Sequence, residues 1–127
     1  MRAITTHHTN DVNKLLTLEA DARDEKNGNA SHIYQISWPH PECDPGTDMQ
    51  AVELPFQHGP IGEVGVNGLT NEVLLAIVID RLEGFQTSKW ACEENAQALS
   101  YCKEALAQLE LRTLARTARG VEGTHNV

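Results

Sequence analysis

The first half of the chain alternates apolar and polar residues with the period of two that is typical of β-strands. The segments that show this pattern are 14–21, 32–38 and 49–57. Asn27-Gly28 lies between the first two segments and favours a hairpin turn, while Pro55 predicts that the third strand is an edge strand or ends early. The side chains predicted to share one face are Leu16, Leu18 and Ala20 in the first strand and Tyr34, Ile36 and Trp38 in the second.

The second half follows the spacing of three and four residues that is typical of helices. A first helix is predicted over 70–83, with Thr70 as its N-cap and Gly84 as the residue that ends it. A longer helix is predicted over 91–119 and is stopped by Gly120. The first helix is apolar nearly all round, which predicts its burial between other elements.

These elements predict an α+β fold, with a small N-terminal antiparallel β-sheet followed by a C-terminal antiparallel two-helix hairpin. We expect a single domain, with a β-rich part over 1–57, a loop over 58–69, the helical hairpin over 70–119 and a tail over 120–127. Because a small sheet and one hairpin leave apolar helix surface uncovered, we also expect at least a dimer.

The charge balance is acidic, with ten Lys and Arg against eighteen Asp and Glu, for a net charge of −8 over 127 residues. This balance opposes binding to DNA or to an anionic membrane, since both need a broad basic surface. The longest apolar run, 73–79, is too short to span a bilayer, and the first residues lack the apolar region of a signal peptide. Three cysteines without a CxxC pair indicate reduced thiols, so we expect a cytoplasmic protein.

Against this acidic background, three arginines share one face near the end of the long helix. Arg112, Arg116 and Arg119 stand at i, i+4 and i+7. Arginines in a last turn can simply complement the helix C-terminus, which explains Arg112 least well. Alternatively, the three guanidinium groups form an anion site able to hold a pyrophosphate.

The aromatic residues near the turn between the helices also allow two interpretations. Phe85 and Trp90 are either core residues or a surface on which a base stacks. Asn95 is either solvated or a hydrogen-bonding partner of a base edge or ribose. His7-His8 and His40-x-x-Cys43 do not repeat as metal-binding pairs do, so we expect no metal and no cofactor there. No motif demands catalysis, and we expect a protein that is not an enzyme.

Four motifs occur in a fixed order over residues 56–127: GPIGEVGVNG (59–68), RLEGFQ (81–86), ACEEN (91–95) and RGVEGTH (119–125). In these motifs the chain resembles the phage anti-Thoeris sponge family, which shares a helical-hairpin domain with the phage anti-CBASS sponges. The resemblance implies a non-catalytic protein that sequesters cyclic ADP-ribose isomers made by TIR-domain immune enzymes in the cytoplasm of an infected bacterium. It also implies dimers that can assemble into hexamers, with pockets between subunits, and in some members a separate site for cyclic di- or trinucleotides.

The resemblance also assigns roles to individual residues. It implies that Phe85 stacks on adenine, that Asn95 contacts the ligand, and that Arg112 and Arg116 bind the pyrophosphate. Arg119 and Thr124 are further candidates in the same region. Glu93 and Gly62 stand where relatives often carry basic residues, which puts the cyclic-oligonucleotide site in doubt.

A different class of function remains open on the residues alone. The hairpin could serve assembly in a small structural or adaptor subunit of a phage. The arginine face together with Phe85 and Asn95 distinguishes the two hypotheses, because an assembly hairpin would favour apolar or mixed-charge residues at those positions.

Overall fold

A four-stranded antiparallel sheet forms the first part of the protein in a computed structural model, which describes residues 1–42, 44 and 48–127. The strands follow one another in the order β1-β2-β3-β4. Their bounds are Arg2–Ile4 (β1), Thr17–Ala20 (β2), Ile33–Pro39 (β3) and Met49–Pro55 (β4), and a short 3-10 turn over Asn13–Leu15 precedes β2.

The pairing of β2 with β3 confirms the two predicted strand faces. Leu18 lies opposite Ile36, and Ala20 lies opposite Tyr34. Ala20 is fully buried, and the Tyr34 ring meets the Phe56 ring edge-on at 5.1 Å. Because side chains alternate along a strand, this register brings the two apolar sets together on one face.

The connections of the sheet confirm the predicted turn and reveal an additional strand. Gly28 has a φ of +73°, and an isolated bridge pairs Asp24 with Ala30 around the turn. The third predicted strand is observed as β4, which lies at the edge of the sheet and ends at Pro55 as predicted. The first strand, β1, was not predicted, because three residues are too few to show a period.

Three helices follow the sheet: α1 (Ile61–Val64), α2 (Asn71–Gln86) and α3 (Glu93–Ala118). The Thr70 Oγ1 accepts a hydrogen bond from the Val73 N–H at 3.3 Å, which confirms the predicted N-cap. The predicted end of α2 at Gly84 is wrong. The helix continues to Gln86 because the Thr87 and Ser88 hydroxyls donate to its last carbonyls, those of Gly84 and Phe85, at 2.8 and 2.7 Å.

The side chain of Gln86 closes the connection between α2 and α3. It accepts from the Cys92 N–H at 3.1 Å and donates to the Cys92 carbonyl at 3.2 Å. The Cys92 Sγ in turn caps α3 by accepting from the Asn95 N–H at 3.4 Å. At the other end, Gly120 adopts a φ of +73° and stops the helix as predicted.

The chain divides into two compact units, one over residues 1–59 with 66–68 and the other over residues 60–65 with 69–127. Within the chain, no residue of α2 or α3 is fully buried, so the predicted burial of the first helix is wrong for a single copy. The aliphatic side chains left exposed on the two helices include Val73, Ile77, Val78, Leu111 and Leu114, and the aromatic side chains of Phe85 and Tyr101 are exposed as well.

Two further predictions concern thiols and membranes. Cys92 and Cys102 are free thiols, and Cys43 lies outside the described residues. None of the helices in the described part of the chain combines the length and apolar character that crossing a bilayer would need.

Candidate functional site

An open cleft of about 430 Å³ lies where α2 ends and the connection to α3 begins. It is lined by Asp80, Arg81, Gly84, Phe85, Ser88 and Trp90. Residues 81 and 85 are one helical turn apart, so their side chains lie on the same face of α2. The Arg81 Cζ lies 5.8 Å from the centroid of the Phe85 ring, within the range of a cation–π contact.

Both aromatic rings of the cleft are open to solvent. Phe85 is 38% exposed and Trp90 is 62% exposed. The Phe85 side chain is therefore not a fully buried core residue, and part of its ring is free to stack on a planar ligand. The Lys89 Nζ lies 4.8 Å from the Trp90 ring and places a second cation beside the exposed aromatic surface.

Asn95 lies in the first turn of α3, next to the connection that Gln86 closes. Its N–H is bound to the Cys92 Sγ, and its side chain is half-buried. Within the described residues its side-chain amide has no hydrogen-bond partner. The amide can therefore donate to and accept from a ligand at this end of the hairpin.

The arginines predicted to share a face differ in what their guanidinium groups contact. Arg112 is exposed and has no hydrogen-bond or ion-pair partner in the part of the chain that the structure describes. The Arg116 side chain is only 11% exposed. Its Nε donates to the Glu122 carboxylate at 3.0 Å, and its Nη2 donates to the carbonyls of Val121 and Thr124 at 2.9 and 3.3 Å. Arg119 donates from Nη1 to the Val127 carbonyl at 2.8 Å.

The tail that Arg116 holds also contacts α1. The Gly62 N–H donates to the Gly123 carbonyl at 2.9 Å, and a Cβ added to Gly62 would lie 2.8 Å from that oxygen. The His125 Nδ1 lies 3.6 Å from the Glu63 carboxylate. The Thr124 hydroxyl donates to the Val121 carbonyl at 2.6 Å within the same turn. The absence of a basic side chain at position 62 therefore has a steric reason, because the tail occupies that space.

Comparison with known proteins agrees with this helical architecture. A model of the Acb2/Tad1 hairpin domain matches residues 52–114. Residues 52–114 of this chain are therefore similar to the hairpin domain of the Acb2/Tad1 family. It is also similar to a protein of Bacillus phage SBSphiJ7 named "Thoeris anti-defense 1", with 54% identity over 70 residues. The aligned segment covers 55% of this chain and 49% of that relative, so it spans about half of the relative's length.

The match confirms the resemblance and contains three of the four motifs that indicated it, since the motif at 119–125 lies beyond its end. It includes Phe85, Asn95 and Arg112, and it ends before Arg116, Arg119 and Thr124. The roles of these side chains in binding a ligand stay predictions.

Within one copy of the family hairpin, the predicted site residues fall into two separate groups. Phe85 and Asn95 lie at the closed end of the hairpin, where α2 meets α3. Arg112 lies seventeen residues after Asn95 on the same helix, which corresponds to about 25 Å at 1.5 Å per residue. Phe85 and the arginines of one copy therefore cannot contact a single nucleotide-sized ligand together.

Three residues that contact or position the predicted site residues were not identified from the sequence: Arg81, Gln86 and Glu122. Arg81 could have been found, because it precedes Phe85 by one helical turn. The role of Gln86 in fixing the connection, and of Glu122 in pairing with Arg116, depends on how the chain folds back, which no local spacing indicates.

Proposed function

We propose that this protein is a non-catalytic sponge that binds a cyclic ADP-ribose isomer and thereby blocks a TIR-based Thoeris defence in the cytoplasm of an infected bacterium. The match of residues 52–114 to the Acb2/Tad1 hairpin domain and the 54% identity over 70 residues to a relative named for anti-Thoeris activity support this function. The exposed Phe85 ring and the unpartnered Arg112 provide the two kinds of group that an adenine and a pyrophosphate need.

The pocket in this proposal is formed by two copies of the chain. The observation that carries it is the separation of about 25 Å between the Phe85 and Asn95 end of the hairpin and Arg112. An antiparallel partner would bring its own arginines to the Phe85 end of the first copy. The exposed apolar side chains of α2 and α3 supply surface for such a dimer, and dimers of this kind could assemble further into hexamers.

Each side chain then has a defined contact with the ligand. Phe85 stacks on adenine, and Asn95 bonds to the base edge or ribose. Arg112 of the second copy approaches the pyrophosphate with all of its donors available. Arg116 can add its Nη1, which has no partner among the described residues, while its Nε and Nη2 keep the tail in place. In this proposal Arg119 and Thr124 do not touch the ligand but hold the tail in place, through their hydrogen bonds to the carbonyls of Val127 and Val121.

Release of an intact signal by heat tests the proposal directly. The protein is incubated with a cyclic ADP-ribose isomer, freed of unbound ligand, heated and analysed by chromatography. We expect recovery of the unchanged cyclic compound at a fixed ratio to protein. A linear ADP-ribose product would instead reveal an enzyme and overturn the proposal.

Matched arginine variants locate the binding in the same assay. Arg112→Ala should retain little ligand. Arg23→Ala, which removes an exposed arginine whose Nη1 donates to the Asn29 carbonyl in the sheet unit, should retain the wild-type amount. Equal retention by both variants would contradict the assignment of the pyrophosphate to Arg112.

Cyclic oligonucleotides form the second ligand class of this proposal, and we expect them to bind weakly here. Glu93 is exposed and adds a negative charge where relatives often carry arginine, and Gly62 has no side chain. Titration with cyclic di- and trinucleotides tests this, and affinity equal to that for the ADP-ribose signal would contradict it.

A further inference from the structure

Three side chains of the sheet unit converge on one point, two of them from the connection between β2 and β3 and one from the segment after β4. The Nε2 atoms of His32 and His58 lie 3.0 and 3.2 Å from the same carboxylate oxygen, Oδ2 of Asp24. The two imidazole rings stack at 3.8 Å with an angle of 8° between their planes. The three candidate ligand atoms all lie within 4.8 Å of one another. The histidines considered from the sequence lie elsewhere, and His7 and His8 both contact the Leu16 carbonyl.

The backbone and its neighbours hold each member of this cluster in place. Asp24 accepts from the Asn27 side-chain amide at 2.7 Å and from the Lys26 N–H at 3.1 Å. His32 is only 7% exposed. The main chain of His58 is fixed by Asn67, whose side chain accepts from the His58 N–H at 2.8 Å and donates to the His58 carbonyl at 2.7 Å.

Several hydrogen-bond donors crowd around one acceptor in this cluster. The Asn27 amide and two imidazole nitrogens all point at one oxygen of Asp24. The Asn27 hydrogen bond, followed by that of His32, lowers the pKa of Asp24 to about 2, so the carboxylate is ionised near neutral pH. Two imidazole nitrogens and one carboxylate oxygen are ligands that zinc prefers in proteins.

We propose that Asp24, His32 and His58 form a binding site for a divalent transition-metal ion of the zinc class. Three protein ligands leave a fourth position for water, as in other zinc sites with two histidines and one carboxylate. Binding requires the His58 ring to tilt away from the stacked His32 ring so that the Nε2 atoms of both face the ion. His58 has the freedom to do so, because its side chain is 58% exposed, while buried His32 and the anchored Asp24 stay in place.

The ion would link the connection between β2 and β3 with the segment that follows β4. Asp24 belongs to the turn between β2 and β3, His32 immediately precedes β3, and His58 follows β4. Holding these segments together stabilises the folded sheet unit relative to the unfolded chain, because the unfolded chain has no preformed site.

Calorimetric titration of the full chain with Zn²⁺, without an affinity tag that contains histidine, tests the site. We expect saturable binding of one ion per chain and a higher melting temperature in the presence of Zn²⁺. His58→Gln should weaken binding by more than about tenfold while retaining the fold, because the side chain is largely exposed. His8→Gln is the matched control, and its affinity should remain within about twofold of the wild type.

A Co²⁺ titration identifies the ligands by absorption. Visible bands of a low-symmetry nitrogen and oxygen site should appear in the wild type and in His8→Gln, and should be lost in His58→Gln and in Asp24→Asn. Thiolate-to-metal charge-transfer bands would assign the ion to a cysteine and overturn the proposal. Equal affinity of the wild type and His58→Gln for Zn²⁺ would overturn it as well.

Discussion

Replacing Arg116 with alanine separates the structural role of this residue from its predicted role at the ligand. Arg116 is 11% exposed and donates three hydrogen bonds to the tail, one of them to the Glu122 carboxylate. Arg112, one turn earlier, has no partner among the described residues. We therefore expect Arg116→Ala to release the tail and Arg112→Ala to leave it in place.

The size of the effect follows from the bonds that are lost. A hydrogen bond that involves a charged group contributes about 1.5–3 kcal/mol in a buried setting, and a typical hydrogen bond contributes about 1 kcal/mol. The tail carbonyls and Glu122 can regain water, so three such bonds correspond to about 2–4 kcal/mol for opening of the tail. This lowers the protection of tail amides from exchange by about 30- to 900-fold, at about 1.36 kcal/mol per factor of ten.

Hydrogen exchange measured by NMR at the Gly62 and Thr124 amides reports this opening. The Gly62 N–H is bound to the Gly123 carbonyl at 2.9 Å and the Thr124 N–H to the Val121 carbonyl at 3.2 Å, so both become exposed when the tail leaves. Arg112→Ala, as the control, should shift exchange by no more than about 0.5 kcal/mol, as surface substitutions commonly do. Unchanged protection of both amides in Arg116→Ala would refute the reasoning.

Three further substitutions test other parts of the hairpin unit. Phe85→Ala should weaken binding of the cyclic ADP-ribose signal by about 5- to 150-fold in calorimetry. Because the ring is 38% exposed, the variant should lose less than about 3 kcal/mol of folding stability. Early melting with normal affinity would contradict stacking. Gly62→Ala should speed exchange at Thr124, because its Cβ would lie 2.8 Å from the Gly123 oxygen; unchanged exchange would show that the tail adapts. Gly84→Ala should raise the melting temperature, since its Cβ meets no atom within 4 Å and alanine favours a helix interior by about 0.5–1 kcal/mol; a lower melting temperature would contradict this.

Local pattern predicted the elements of this fold well where the pattern was long enough to read. The alternation of Leu18 and Ala20 against Tyr34 and Ile36 predicted the face that the observed register assembles. Thr70 and Gly120 predicted one end of each long helix. The strand β1 was missed because three residues carry no period, and it forms through its pairing with β2.

The predicted end of α2 shows how a single residue type can mislead. Glycine favours helix ends because it adopts positive φ readily. A glycine ends a helix in this way only where the chain turns at that residue. Gly84 stays helical, and hydroxyl groups from Thr87 and Ser88 supply the caps instead. The sequence contains both a glycine and two hydroxyl residues near this helix end. The helix ends at the hydroxyl residues, because their hydrogen bonds satisfy its last carbonyls.

The residues of the candidate site could be predicted from the sequence, but their positions relative to one another were not. A period of 3.6 residues places Arg112 and Arg116 on one face, and the motifs single out Phe85 and Asn95. The distance between the two groups becomes clear only when helix length is considered, since α3 separates them by about 25 Å. The cluster of Asp24, His32 and His58 was not predicted, because His58 follows β4 and only the sheet brings it to the connection that holds Asp24 and His32.

The arginines near the end of α3 illustrate why a shared face does not imply a shared role. Gly120 and Gly123 both adopt positive φ, and these two turns bring the tail back over the last turns of the helix. Arg116 is then covered and bound to Glu122, while Arg112 lies beyond the reach of those contacts and keeps all of its donors. A free guanidinium on an acidic protein attracts a small anion but sits among charges that repel a polyanion. Because the same turns remove Arg116 from solvent and leave Arg112 free, we expect anion binding by this helix to depend chiefly on Arg112.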